Sequence, residues 1–181
     1  MPSAIEMLRE DHDKVKGLFE EFEQAEESQA KEQIVDNTLR ELEIHAALEE
    51  EIFYPVAEEQ LDDKESIDEA REEHHVVKLL IGELKKMSAD DERYDAKYKV
   101  LSESVKHHIE EEESELFPKL EGKLDAEGLG AQMETRKQQL QRRVSKRSVV
   151  RSTKSKSRTR RRKVKQTAAS KTQRKSPSAR R

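Results

Sequence analysis

Apolar residues return along this chain at intervals of three and four, and the runs that do so are long. Ile5, Leu8, His12, Val15, Phe19 and Phe22 form one such stripe, which predicts an amphipathic helix with His12 on its inward face. Ser3 with Glu6 reads as a capping box opening that helix. A second helix, about residues 31–59, carries Thr38, Leu42, His45, Glu49, Ile52 and Val56 on one row. A third, about 64–87, aligns Ile67, Ala70, His74, Val77, Ile81 and Leu84. A fourth, about 91–121, aligns Tyr98, Leu101, Val105, His108 and Glu112, then Leu116 and Leu120. Pro55 and Pro118 apart, Gly and Pro are nearly absent inside these segments. Four such helices with short connections predict an all-α, up-down-up-down four-helix bundle over residues 1–122.

The pattern repeats. "HAALEEEIFYP" from His45 matches "HIEEEESELFP" from His108, and "EDHDKVKGLFEEFE" around His12 matches "EEHHVVKLLIGELK" around His74. Residues from about 3 to 59 therefore resemble those from about 65 to 122. Two similar hairpins about a pseudo-twofold axis would bring four His and two Glu to the middle of one bundle. Helical phase also separates neighbouring histidines. His74 and His108 lie in line with apolar residues, whereas His75 and His107 are about 100° further round and are expected to flank the core.

Composition narrows the chemistry. The 181 residues are 42% charged and 4% aromatic, with no Trp, which suits a narrow helical core better than a sandwich or barrel. No Cys is present, so disulfides, thiolate metal sites and cysteine catalysis are excluded. That absence fits a reducing cytoplasm. The first residues lack the apolar run of a signal peptide, and no stretch approaches the ~18 apolar residues of a membrane span. A soluble, cytoplasmic protein is the expectation.

A lone His on an apolar stripe is usually a hydrogen-bonded core residue. Two Glu on apolar rows are harder to dismiss, because an unpaired buried carboxylate costs several kcal/mol. Glu49 and Glu112 each follow a His by four residues, a spacing that puts both side chains on one helix face. No Lys or Arg shares those rows nearby. His12, His45, Glu49, His74, His108 and Glu112 are thus candidate metal ligands. Imidazole nitrogen with carboxylate oxygen, and no sulfur, suits iron or manganese and admits zinc. Four nitrogens and two carboxylates are few for one ion but sensible for two, each held by two His with the carboxylates bridging.

The set His12, His45-x-x-x-Glu49, His74, His108-x-x-x-Glu112 resembles the hemerythrin-like HHE cation-binding family over about residues 3–122. The resemblance implies a four-helix bundle with a non-haem di-iron centre, these six residues as ligands and the two Glu as bridges. Oxygen-carrying hemerythrins have a second His four residues after the third-helix ligand, where this chain has Lys78. They have Asp five residues after the last His, where it has Glu113. Both departures weigh against reversible oxygen carriage and bring the pattern closer to the bacterial H-HxxxE-H-HxxxE group and the iron-centre repair proteins, whose Cys-bearing N-terminal segment it lacks. Tyr54 is read as bundle packing in preference to a radical trap or extra ligand. The implied chemistry is with O2, peroxide or nitric oxide, by turnover or sensing, with iron storage, delivery or iron-centre repair as the alternative. No nucleophile–base pairing or Gly-rich phosphate loop is found.

Charge divides the chain in two. All 40 acidic residues lie at or before Glu134, while 20 of the 36 Lys and Arg lie after residue 135. The net charges are −24 and +20. Leu124, Leu129, Met133 and Leu140 space out as a short fifth helix within a 123–145 linker, against which Gly128 and Gly130 count. Residues 146–181 contain nothing that could form a core, so a disordered tail is expected. Its charge is that of a polyanion binder, and its lack of aromatics predicts nucleic-acid contact without sequence preference. The rival roles are folding back on the acidic bundle and binding an acidic protein or a membrane surface. A nucleic-acid-binding module on a purely structural bundle is the rival reading of the whole chain.

Overall fold

The computed structural model describes residues 2–61, 63–125 and 127–143. Helix α1 (Ala4–Gln24) opens on the expected capping box: Ser3 Oγ accepts from the Glu6 N–H at 3.2 Å, and the Glu6 carboxylate accepts from the Ser3 N–H at 2.7 Å. Helix α2 (Ser28–Leu48) runs through a π-helical turn, Glu49–Phe53, into α3 (Tyr54–Gln60). After α4 (Lys64–Leu84), α5 (Tyr94–Glu111) does the same through Glu112–Leu116 into α6 (Phe117–Leu120). A last helix, α7, covers residues 127–143.

The two π turns answer the repeated eleven-residue word. A proline inside a helix has no N–H to donate, and its ring collides with the carbonyl four residues back. In each rod the turn before the proline widens, so that Tyr54 N–H reaches Glu49 O and Phe117 N–H reaches Glu112 O, five residues back. Each wide turn begins on the candidate carboxylate. It also corrects the predicted row. An uninterrupted α-helix after Glu49 would bury Ile52 and Val56. The extra residue instead puts Phe53, Tyr54 and Ala57 inside and leaves Ile52 and Val56 half-buried.

Helix α1 packs on α2 and α5, and α4 packs on α5, α2 and α3, which closes the four rods into the expected up-down-up-down bundle. Its interior is divided. One apolar cluster holds the first turns of α1 and α4 with the last turns of the other two rods, including Leu8, Leu48, Phe53, Ile67 and Phe117. A second fills the opposite end with Phe19, Leu39, Ile81, Tyr98 and Leu101. On every rod the boundary between the clusters falls within about a turn of a histidine.

Two compact units divide the chain, Met1–Leu140 and Gln141–Arg181. In the first, Leu129 and Met133 of α7 join the first apolar cluster. The glycines counted against this helix have local reasons. Asp125 caps it by accepting from the Gly128 N–H at 3.2 Å. At Gly130 a Cβ would lie 2.4 Å from Pro2 O, so only glycine lets α7 lie against the chain's first residues. Of the second unit, residues 141–143 are described and helical. The tail expected to be disordered, 146–181, lies outside the described residues.

Candidate metal centre

All six candidate side chains meet in the layer between the two clusters. His12, His45, His74, His108, Glu49 and Glu112 are each no more than 6% exposed. The imidazoles form two pairs, one per hairpin: His12 Nε2 faces His45 Nε2 at 3.2 Å, and His74 Nε2 faces His108 Nε2 at 3.1 Å. The carboxylates join the pairs. Glu49 Oε2 lies 3.1 Å from His45 Nε2 and 3.2 Å from His74 Nε2. Glu112 Oε2 lies 3.3 Å from His12 Nε2 and 3.6 Å from His108 Nε2. Each Glu thus serves its own hairpin and the other. Cation-sized groups of ligand atoms result, one from His12, His45, Glu49 and Glu112, the other from Glu49, His74 and His108.

The outward nitrogens show a second tier that sequence reasoning missed. His12 Nδ1 donates to Glu113 at 2.8 Å, His74 Nδ1 to Glu50 at 3.0 Å and His108 Nδ1 to Glu73 at 2.7 Å. His45 Nδ1 faces Asp11 at 3.9 Å. On the first three rings a carboxylate hydrogen-bonded to Nδ1 fixes the orientation and leaves Nε2 free to bind inward, whereas His45 Nδ1 is buried without a hydrogen bond. The four carboxylates obey the pseudo-twofold axis. Asp11 and Glu73 precede the first His of each hairpin, and Glu50 and Glu113 follow its Glu. That adjacency in both repeats was the signal available in the sequence. Lys16 contacts Glu113 at 3.3 Å, Lys78 contacts Glu50, and Lys137 of α7 contacts Asp11. His75 and His107 are exposed, as their phase predicts.

The symmetry breaks at one pair. Tyr54 and Phe117 occupy matching positions and pack on matching rings, Tyr54 on His74 and Phe117 on His12. Only Tyr54 has a hydroxyl, and it donates to Glu112 Oε1 at 2.9 Å. Burial, with the Glu49 and Glu112 carboxylates beside it, pushes the phenol well above its ordinary pKa and keeps it a donor. Tyr54 is therefore more than bundle packing.

Electrostatically the layer calls for positive charge. Burial alone would discharge His45, but Glu49, Asp11 and Glu112 outweigh it and raise the imidazole to about 10. His108 is raised too: burial opposes, and Glu112 and Glu73 prevail. Burial works against ionised Glu49, yet His45 and His74 hold it well below the usual carboxylate range. Even so, both oxygens of Glu49 and Oε2 of Glu112 are buried without a hydrogen bond: the imidazoles are near but out of hydrogen-bonding geometry. Orphaned buried carboxylate oxygens cost several kcal/mol. Cations among four inward nitrogens and two shared carboxylates would satisfy them, so the residues present fit a metal pair.

A four-helix bundle whose central layer is two His pairs joined by two carboxylates defines a cation-binding helical domain. Comparison with known proteins makes this specific. The chain belongs to the hemerythrin HHE cation-binding domain family, whose model matches residues 3–120. A DNA nickase of Nostoc sp. is 30% identical over 125 residues, which cover 67% of this chain and 34% of that protein. An uncharacterised hemerythrin-like protein of Schizosaccharomyces pombe is 29% identical over 129 residues, covering 70% of this chain and 64% of the relative. The chain thus spans about a third of the first relative and under two thirds of the second. Among solved structures, a hemerythrin HHE cation-binding domain protein of Mycobacterium kansasii superposes with a TM-score of 0.67 at 28% identity, covering 77% of this chain and 88% of that one. Among the described residues no helix is long and apolar enough to cross a membrane.

Proposed function

We propose that the chain is a non-haem di-iron protein that reacts with or senses O2, peroxide or nitric oxide. The carrying observation is the sharing of each carboxylate between the two His pairs. In this reading His12 and His45 would hold one iron and His74 and His108 the other, with Glu49 and Glu112 as carboxylate ligands within reach of both pairs. Manganese or zinc are the other ions that the donor set admits. When bound, iron would supply the redox chemistry for O2, peroxide or nitric oxide. The protein's own part is positional. Glu113, Glu50 and Glu73 orient the His12, His74 and His108 rings, Asp11 adds negative charge beside His45, the apolar clusters on either side keep water scarce, and Tyr54 holds a proton at Glu112 Oε1.

The test is metal analysis with an optical spectrum on the full chain and a His45→Ala/His108→Ala variant. Two irons per chain with a near-ultraviolet to visible ligand-to-iron absorption, both lost in the variant, are expected. Equal metal content in the two proteins would refute the site. Catalytic loss of peroxide or nitric oxide would mark an enzyme, whereas a spectral change without turnover would mark a sensor. Iron passing to an acceptor chelator would mark storage or delivery.

The +20 segment carries a second part of the reading, a tether to nucleic acid through residues 146–181. Its composition supports this, and a polyanion partner is in keeping with a relative named as a DNA nickase. DNA binding that weakens steeply with salt and disappears when 146–181 are removed is expected, with iron loading retained. Binding unchanged by the deletion would sink it and leave self-contact with the acidic bundle.

A further inference from the structure

The four carboxylates behind the histidines differ in one respect. Three take a lysine ammonium on their outer side: Glu113 from Lys16, Glu50 from Lys78, and Asp11 from Lys137. Glu73 is the exception among the described residues. It is the twofold counterpart of Asp11. One of its oxygens, Oε2, holds His108 Nδ1 at 2.7 Å, as Asp11 faces His45. The other, Oε1, faces outward, where Asp11 meets Lys137. There it meets no ammonium but His107, with Nε2 at 3.8 Å. Glu111, four residues on along α5, lies 3.2 Å from the same nitrogen. On the first hairpin the positions matching His107 and Glu111 are Ile44 and Leu48, which are buried and apolar. At the very place where one half of the molecule seats a cation, the other half presents a nitrogen and two carboxylates from two helices.

We propose that Glu73, His107 and Glu111 bind a divalent transition-metal cation at the surface, separate from the buried centre and linked to it through Glu73. One ligand atom from each residue lies within 4.8 Å of the others. Small side-chain rotations would bring all three to the ~2.1 Å typical of such ions. A mixed nitrogen and oxygen set favours Mn2+, Fe2+ or Zn2+ over Mg2+ or Ca2+, which prefer oxygen alone. His107 is 63% exposed, so water completes the coordination and the ion exchanges freely with solvent. The ion would stand where Lys137 stands in the first hairpin, neutralising the carboxylate that orients a buried ring. Glu73 then touches an exterior ion with one oxygen and a histidine of the inner layer with the other, which makes this the loading side of the bundle.

The experiment is a Mn2+ titration of the full-length protein, with bound Mn2+ counted by electron paramagnetic resonance. It is run on metal-free protein and on protein given two equivalents of Zn2+ and desalted. In zinc-treated wild type one Mn2+ per chain is expected, bound at least tenfold more weakly in His107→Ala and in Glu111→Gln, with zinc content unchanged. In metal-free protein, Fe2+ uptake should slow several-fold in His107→Ala while its final iron content stays that of wild type. Absence of a stoichiometric Mn2+ in zinc-treated wild type overturns the proposal, as does equal Mn2+ affinity in the variants. Failure of the di-iron reading looks different: no zinc or iron is retained, yet one Mn2+ remains and is lost in His107→Ala.

Discussion

Raising the pH from about 6.5 to 9.5 should destabilise the metal-free protein steadily, before its lysines and tyrosines titrate. His45 is buried with Nε2 3.1 Å from Glu49 and with Glu112 and Asp11 near, and these carboxylates raise its imidazole from the ordinary 6.5 to about 10. A group whose pKa is raised on folding contributes stability that is complete below its unfolded pKa and is lost as pH climbs through its folded one. At ~1.4 kcal/mol per tenfold in proton affinity, the whole contribution is about 5 kcal/mol. Roughly 3–4 kcal/mol of it disappears between about pH 6.5 and pH 9.5. For a domain of this size that lowers Tm by on the order of 10 °C. His108, shifted in the same direction, adds to the fall. The lowered pKa of Glu49 acts in the opposite window, below the ordinary carboxylate range, and leaves this one untouched. The assay is circular-dichroism melting of chelator-treated and metal-loaded protein across that range. Metal displaces the imidazole protons, so the loaded protein should lose this slope and should release at least one proton per chain on loading near neutral pH. A metal-free Tm that stays flat from pH 6.5 to 9.5, or falls equally in His45→Gln, refutes the reasoning.

Tyr54→Phe should keep both metals, because the phenol supports Glu112 and is no member of the His pairs. It should shift the optical spectrum and cost metal-free protein about 1–2 kcal/mol for the stranded Glu112 oxygen in melting experiments; loss of metal would show that Tyr54 does more than donate. Glu49→Gln should lower metal content by at least one ion per chain in elemental analysis, since one oxygen serves both His pairs, and full retention would argue against bridging. Gly130→Ala should destabilise by about 1–3 kcal/mol in denaturant unfolding, because its Cβ meets backbone at Pro2. Gly17→Ala and Gly82→Ala, with open space at Cβ, should each stabilise by up to ~1 kcal/mol, and the opposite order would place α7 elsewhere.

Much of this molecule is local in origin and could be read from the chain alone. Helical phase is set residue by residue, so the stripes through Leu8 and Val15, or Ala70 and Val77, already placed His12 and His74 inward. The repeat doubled that information; four rods and six convergent side chains followed from spacing, and the split of charge from composition along the chain. What escaped is whatever depends on two segments at once. The row after Glu49 was misread at Ile52 and Val56 because the proline's collision widens a turn that periodicity assumes to be regular. Asp11, Glu50, Glu73 and Glu113 carry no period that marks them out; the packing of neighbouring rods places an imidazole beside each. Gly130 looked like a helix breaker until the backbone of Pro2 lay beside it. The crossing of each carboxylate to the other hairpin, and the want of a lysine behind Glu73 among the described residues, exist only in the assembled bundle, because a pairing between distant elements is chosen by their packing and leaves no period along the chain.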